Sequence, residues 1–368
     1  MLAIGAATPV MAQDTRDQQI QSLLTRVSEL ESRAERPPLA FGENNTSFEI
    51  YGYVKADAIY DLDYDLGNTI FGLAGIDDDS REDTNFQGIG WETRLGLRTT
   101  TPTDYGDLET QIETDFYGSG GGELRLRHAT ATWNGFRIGK YWTSFMPLAA
   151  YPDTIDFQGP AGIPFARQTQ FGYLHDFDNG FSLGGYLEDP TYNSDAPAFV
   201  GVASYETDGY FFRGTALAGS AEDEETDNDD DVWGFNLSAT ADLWQAASMT
   251  ATFTHGEGVA TYMVFPNDGL DFEAINDDGD AIETTAGTLG LVQELNDQFD
   301  IRAAYGFRED DNPSDGATSR FETVHLTGNY YPVENVGIGL EYIYSERDIE
   351  DRSTIRADRI QGAVQVNF

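Results

Sequence analysis

The sequence predicts an all-β fold, a 16-stranded antiparallel transmembrane β-barrel with a short N-terminal α-helical coiled coil. Three observations predict it. Strand-length segments from residue 48 onward alternate apolar and charged positions. The connections between them alternate strictly between tight and long. The chain ends on an aromatic, Phe368.

Composition sets the outer bounds. The 368 residues carry 64 Asp+Glu against 21 Lys+Arg, a formal net charge of −43, which excludes a nucleic-acid binder resting on a basic surface. Hydrophobic residues at 40% and aromatics at 13% are too many for a disordered acidic chain. Without cysteine there is no disulfide scaffold, thiol nucleophile or thiolate metal site. No run approaches the roughly 20 apolar residues of a membrane helix.

In chain order, residues 1–12 (MLAIGAATPVMA) resemble the later part of a secretory signal peptide, cleaved after Ala12. Over 13–36, Ile20, Leu23, Val27 and Leu30 recur at spacings of three and four, the a/d seam of a short periplasmic coiled coil that joins copies as a dimer or trimer. A lone amphipathic helix would show the same spacing. Pro37 and Pro38 stop the helix and open a linker over 37–46, and the barrel occupies 47–368.

Strands are expected at 48–61, 86–101, 106–117, 123–133, 136–142, 165–177, 181–188, 198–207, 209–218, 232–243, 247–255, 284–295, 299–308, 321–331, 336–345 and 354–368. Trp91, Leu95 and Leu97 alternate with Glu92, Arg94 and Arg98; Phe299, Ile301, Ala303 and Tyr305 alternate with Asp300 and Arg302. A soluble sandwich also alternates, but here one face carries the acids and arginines and the other almost none. Tight turns such as Asn134-Gly135 and Asp208-Gly209 alternate with long loops, the largest at 62–85, 143–164, 219–231 and 256–283. That sorting is expected of an outer-membrane barrel and has no cause in a sandwich. Phe368 looks like the terminal aromatic read by the barrel assembly machinery.

Parity then names the lumen. Nine of the 17 basic residues beyond the coil face inward: Lys55, Arg94, Arg98, Arg125, Arg127, Arg137, Arg302, Arg308 and Arg359. Such a group in a wet, narrow channel concentrates anions, unless inward Glu92, Glu109, Glu113 and Asp115 neutralise it. The third long loop holds Phe145, Met146, Tyr151, Asp153, Asp156 and Phe157. Left outside it would be an exposed apolar liability, so it is expected to fold into the lumen, where an apolar wall opposite arginines suits an organic anion. Packing against a neighbouring subunit is the other use for it. The remaining long loops are acidic, with 23 of the 64 acids in 62–85, 219–231 and 257–283. These loops could take Ca²⁺ or Mg²⁺ and contact lipopolysaccharide. No other cofactor is expected. His128, His175, His255 and His325 are scattered, His128 on the outward parity, and no HExxH occurs, so an enzyme is not expected.

Several segments are specific. YGYVKADAIYDLDYD, GWETRLGLRTTTPTDYG, and LRLRHATATWNGFRIGKYWTSFMP leading into DFQGPAGIPFARQTQFGY resemble the DcaP-like family of outer-membrane porins. The resemblance implies a homotrimer whose periplasmic coils meet on the threefold axis, and passive uptake of dicarboxylates and other small organic anions. It places the pore-lining arginines at Arg94, Arg98, Arg125, Arg127 and Arg167, the last needing a bulge to turn inward. A phosphate-type or general diffusion porin and a structural outer-membrane trimer are the alternatives. Two lysines make a sparse ladder for phosphate, and no wall-binding domain supports the structural trimer.

Overall fold

The computed structural model describes residues 39–41 and 45–368, apart from 78, 223–228, 245, 351 and 353. The signal segment, the coil with Ile20, Leu23, Val27 and Leu30, and most of the linker lie outside the described residues. None of the described helices is long and apolar enough to cross a membrane.

Sixteen antiparallel staves close into one barrel. They are β1 (Thr46–Asp61), β2 in two segments (Asn85–Ile89 and Arg94–Thr101), β3 (Leu108–Gly118), β4 (Glu123–Trp133), β5 (Phe136–Trp142), β6 (Arg167–Asp176), β7 (Phe181–Glu188) and β8 (Ala198–Thr207). The second half is β9 (Tyr210–Glu222), β10 (Asp229–Trp244), β11 (Ala247–Glu257), β12 (Glu283–Asn296), β13 (Phe299–Asp311), β14 (Thr318–Val333), β15 (Val336–Ile349) and β16 (Thr354–Asn367). Each pairs with its sequence neighbour, and β16 closes on β1 with Gln365 opposite Lys55. Closure leaves no open edge, so the ladder's N–H and C=O groups are satisfied within the wall. A short Leu39–Phe41 segment pairs with the start of β1. Phe368 finishes the ring, exchanging backbone hydrogen bonds with Gly52 at 3.1 and 3.3 Å.

The expected strands are all present, and four (β4, β5, β7, β8) have the expected bounds. Others run further at the long-loop end. Strands β9 and β10 extend through most of the expected 219–231 loop, and β13 carries the acids at 309–311. At the short-turn end, Asn134 and Gly135 both adopt positive φ (48° and 83°), the two-residue turn that matches strand twist. The outer face is apolar, with Ile50, Val54, Leu95, Leu97, Ile138, Phe171, Leu237 and Leu340 exposed.

The inner face is only partly wet. At the long-loop end four loops contribute to two apolar cores against the wall, Tyr192 joining the second from the β7–β8 connection. The Ile70–Gly75 turn of helix joins Ile163, Val264 and Phe265 over inward Phe321, Ile343 and Ile355. Phe145, Val259 and Tyr262 cover inward Val200, Val202, Leu217 and Val232. Most of the inner surface at that end is thus packed core, and the charged inner wall lies against and beyond it.

The register breaks once where it matters. On β4, Leu126 pairs with Thr114 and His128 with Glu113, so Arg127 is an extra residue in a bulge. Both Arg127 and His128 therefore point inward, and the outward position expected for His128 is corrected: its ring is buried 4.6 Å from that of Tyr141.

Candidate functional site

The strands β1 to β5 bring the early arginines onto one inward patch. Arg125 and Asp115 sit opposite each other across β3 and β4, and Arg125 donates to both carboxylate oxygens at 2.9 and 2.6 Å. The bulged Arg127, only 2% exposed, donates to Glu113 at 2.8 Å and to Asp115 at 3.0 Å. Arg94 lies 3.5 Å from the same Glu113. Arg167 opens β6 opposite Trp142, and its guanidinium lies 4.9 Å from that ring, which Arg127 also approaches at 5.5 Å. No bulge occurs at Arg167; the bulge that shapes the patch is the one on β4.

Three guanidiniums therefore share two carboxylates, and a fourth, that of Arg167, stands beside them over Trp142 without an ion pair among the described residues. Arg94 Nε, Arg167 Nη1 and His128 Nδ1 are buried with no hydrogen-bond partner among the described residues. Aromatic faces complete the patch. Arg94 lies over Tyr53, Arg98 over Tyr51, Arg125 over Tyr117, and Arg137 over Tyr141 at 4.5 Å. Arg98 is nearer the short-turn end, half-exposed and paired with Glu49 at 2.8 Å. For Arg137 the partners among the described residues are Tyr141 and Tyr186, with no carboxylate.

The other inward cations have a different task. Lys55 is 5% exposed, pairs with Glu92 and Asp57, and donates to Ile155 O at 2.7 Å, so it fastens the third loop while bordering an inner cavity with Glu92, Asp153 and Arg302. Arg308 binds Asp310 and Phe265 O, and Arg359 binds Asp61, Asp156 and Gly67 O. Arg302 joins Asp300 and, at 3.1 Å, Asp153. Parity reports which face a side chain leaves from, not the partner it meets.

The 143–164 loop runs from β5 to the far wall. Phe145 and Met146 are fully buried at its root, where Arg213 of β9 donates to Met146 O at 2.8 Å. At its far point Ile155 N and Asp156 N donate to Glu341 of β15 at 2.8 and 3.0 Å. His325 and Thr327 occupy the same carboxylate at 3.2 and 2.6 Å. Burial pushes the Asp156 carboxyl above its ordinary value against the pull of Arg359. The loop then returns, with Ala161 N donating to Thr323 at 2.8 Å. Tyr151 packs on Phe165, while the half-buried Phe157 ring reaches the arginines, 5.3 Å from Arg127 and 5.7 Å from Arg125.

Sequence reasoning missed Arg213 and Glu341. Both have inward parity, so alternation could have found them; their loop contacts had no sequence signal. A string of the form G-x-S-x-G does occur at 180–184, but it spans a turn and the start of β7, and Ser182 bonds Asp176 at 2.6 Å. That is a hairpin, not a nucleophile elbow. Among the described residues no group of three or more His, Asp or Glu could hold a metal ion, and the core of the acidic 221–231 run lies outside them.

The family described as DcaP outer membrane protein matches residues 24–368. The outer membrane channel DcaP of Acinetobacter baumannii superposes with a TM-score of 0.80 at 22% identity, covering 89% of this chain and 99% of that one. The trimer form of OmpT from Vibrio cholerae gives 0.58 at 14% identity, covering 88% and 99%. OmpF of Salmonella typhi, in complex with daunomycin, gives 0.59 at 10% identity, covering 89% and 99%. No curated protein matches the chain by sequence.

Proposed function

This chain belongs to the DcaP outer membrane protein family and is an outer-membrane channel, not an enzyme; from that premise we propose that it takes up small organic anions, dicarboxylates among them. The path runs past an arginine patch narrowed by the 143–164 loop. One observation carries this reading: Arg94, Arg125 and Arg127 pair with Glu113 and Asp115, while Arg167 stands over Trp142 beside them with no ion pair among the described residues. Two guanidinium charges in excess, beside low-dielectric walls, raise the local anion concentration and offer a carboxylate a two-point grip. The net charge of −43 does not oppose this, because many of the acids sit on the long loops at the mouth.

On the same reading the assembly is a homotrimer, as the family resemblance implies and the heptad in 13–36 allows, with that coil in the periplasm. The long loops face outward among lipopolysaccharide, where their carboxylates can share divalent cations. Phe368, at the seam, is the contact for the assembly machinery.

Reversal potentials in a salt gradient test the charge preference, and current block by succinate, phthalate and phosphate tests the ligand. Anion preference with succinate block is expected, weakened by Arg94→Ala plus Arg98→Ala. Cation preference without block by any dicarboxylate would sink the proposal and leave a general diffusion pore.

A further inference from the structure

We infer that Phe157 is the specificity-determining residue of the arginine patch: it favours carboxylates that carry a hydrocarbon body over inorganic oxyanions of the same charge. The inference rests on the anion reading above and adds which side chain makes the choice.

Its position is unlike that of the loop's other apolar residues. Phe145, Met146 and Ile155 are buried and serve as fasteners, but Phe157 is half-buried with its ring over two guanidiniums. Tyr117 lies 4.9 Å away on one side and the edge of Phe165 at 5.8 Å on another. The backbone beneath the ring is fixed. Asp156 N is held by Glu341, and the Asp156 carboxylate accepts Ile70 N at 3.0 Å, Gln158 N at 2.9 Å and Arg359. Gly159, at φ 73°, then turns the chain away.

Phe157 thus takes one face of Arg127, which is 2% exposed, while Arg125 at 34% still offers an edge beside the ring. An anion gripping that edge must rest its remainder on aromatic carbon. The π-face carries negative quadrupole density and cannot replace the water lost by a phosphate oxygen. Methylenes gain by the same contact. At the transfer value of a buried CH₂, two of them are worth on the order of tenfold in affinity.

The test is current block of the purified protein in planar bilayers, by succinate and by inorganic phosphate at a pH where both carry about two charges. Succinate should block at least tenfold more tightly than phosphate (the order of magnitude of two buried methylenes). Phe157→Ala should cut that ratio about tenfold, chiefly by loss of succinate block, and Phe157→Leu should keep most of it. A measurement on the unaltered chain needs no variant to assemble: block should tighten from malonate to succinate to glutarate. A flat series, or a ratio unmoved by Phe157→Ala, overturns the inference. Arg125→Ala separates the two readings. If it weakens block by both ions while the ratio ignores Phe157, the anion site stands and only the role of Phe157 falls. If neither ion blocks the unaltered protein, both fall.

Discussion

Glu341 receives the backbone N–H of Asp156 at 3.0 Å and that of Ile155 at 2.8 Å, so one inward carboxylate on β15 holds the far point of the loop that starts on β5. His325 and Thr327 satisfy the same group from β14. Four donors thus converge on one buried carboxylate, each replacing a lost water.

Glu341→Gln should therefore loosen the loop without unfolding the barrel. The amide can still accept one loop N–H, but its NH₂ faces a donor where the second oxygen stood. The cost is about 2 kcal/mol, the scale of a hydrogen bond to a charged group. Open-channel current noise should rise and folded trimer or monomer bands should convert at lower temperature; a quiet channel of unchanged conductance would show that the loop is held elsewhere.

Arg359 and Arg125 both face inward, yet their substitutions should separate. Arg359→Ala strands Asp61 and Asp156 in a fully buried site, a loss on the order of 3–5 kcal/mol. Stability should fall, and block by succinate at the channels that still assemble should weaken less than in Arg125→Ala, because only one of the contacts fixing the backbone beneath Phe157 is lost. Arg125→Ala removes a partly exposed guanidinium from a buried carboxylate that Arg127 still holds, so it should cost less stability while weakening block about tenfold. Thermal conversion and block constants measured side by side distinguish an anchor from a lumen residue.

Gly306 marks where loop and wall meet backbone to backbone. A Cβ there would stand 1.9 Å from Ala161 O, and Gly162 on the loop meets Phe307 O as closely. Neither partner is a flexible side chain, so Gly306→Ala must push the returning loop off β13. Overpacking of this kind costs roughly 1–3 kcal/mol. Conductance should change in a variant that keeps every charge, whereas Gly328→Ala, with open space around it, should behave as the parent.

Much of this was legible in the chain. A period of two with charges on one face located all sixteen strands, because a closed wall between lipid and water allows no other pattern. It failed at His128, since the bulge at Arg127 shifts parity by one and leaves no mark in residue type. The acids of the loops at 62–85 and 257–283 hide a better signal, the apolar stretches Ile70–Gly75 and Val259–Tyr262, which fill the inner face. The division of inward cations into anchors and lumen residues was not legible at all. Arg308 and Arg125 alternate alike in sequence, and only the loop carbonyl from Phe265 makes one of them an anchor.

The charge surplus itself can be moved in both directions. Arg167→Met keeps apolar contact with the Trp142 ring and removes one of four positive charges, leaving three against the two carboxylates Glu113 and Asp115. Asp115→Asn instead leaves four against one, and the asparagine oxygen can still accept from Arg125 or Arg127. The pair should shift the reversal potential in a KCl gradient in opposite senses, Arg167→Met toward cations and Asp115→Asn toward anions. Both shifts should shrink as salt rises, since the Debye length falls from about 10 Å at 0.1 M to about 3 Å at 1 M. A steric role for Arg167 would change conductance but leave the reversal potential in place. Shifts of the same sign from both variants would mean that the patch does not set selectivity, and that charge elsewhere along the lumen does.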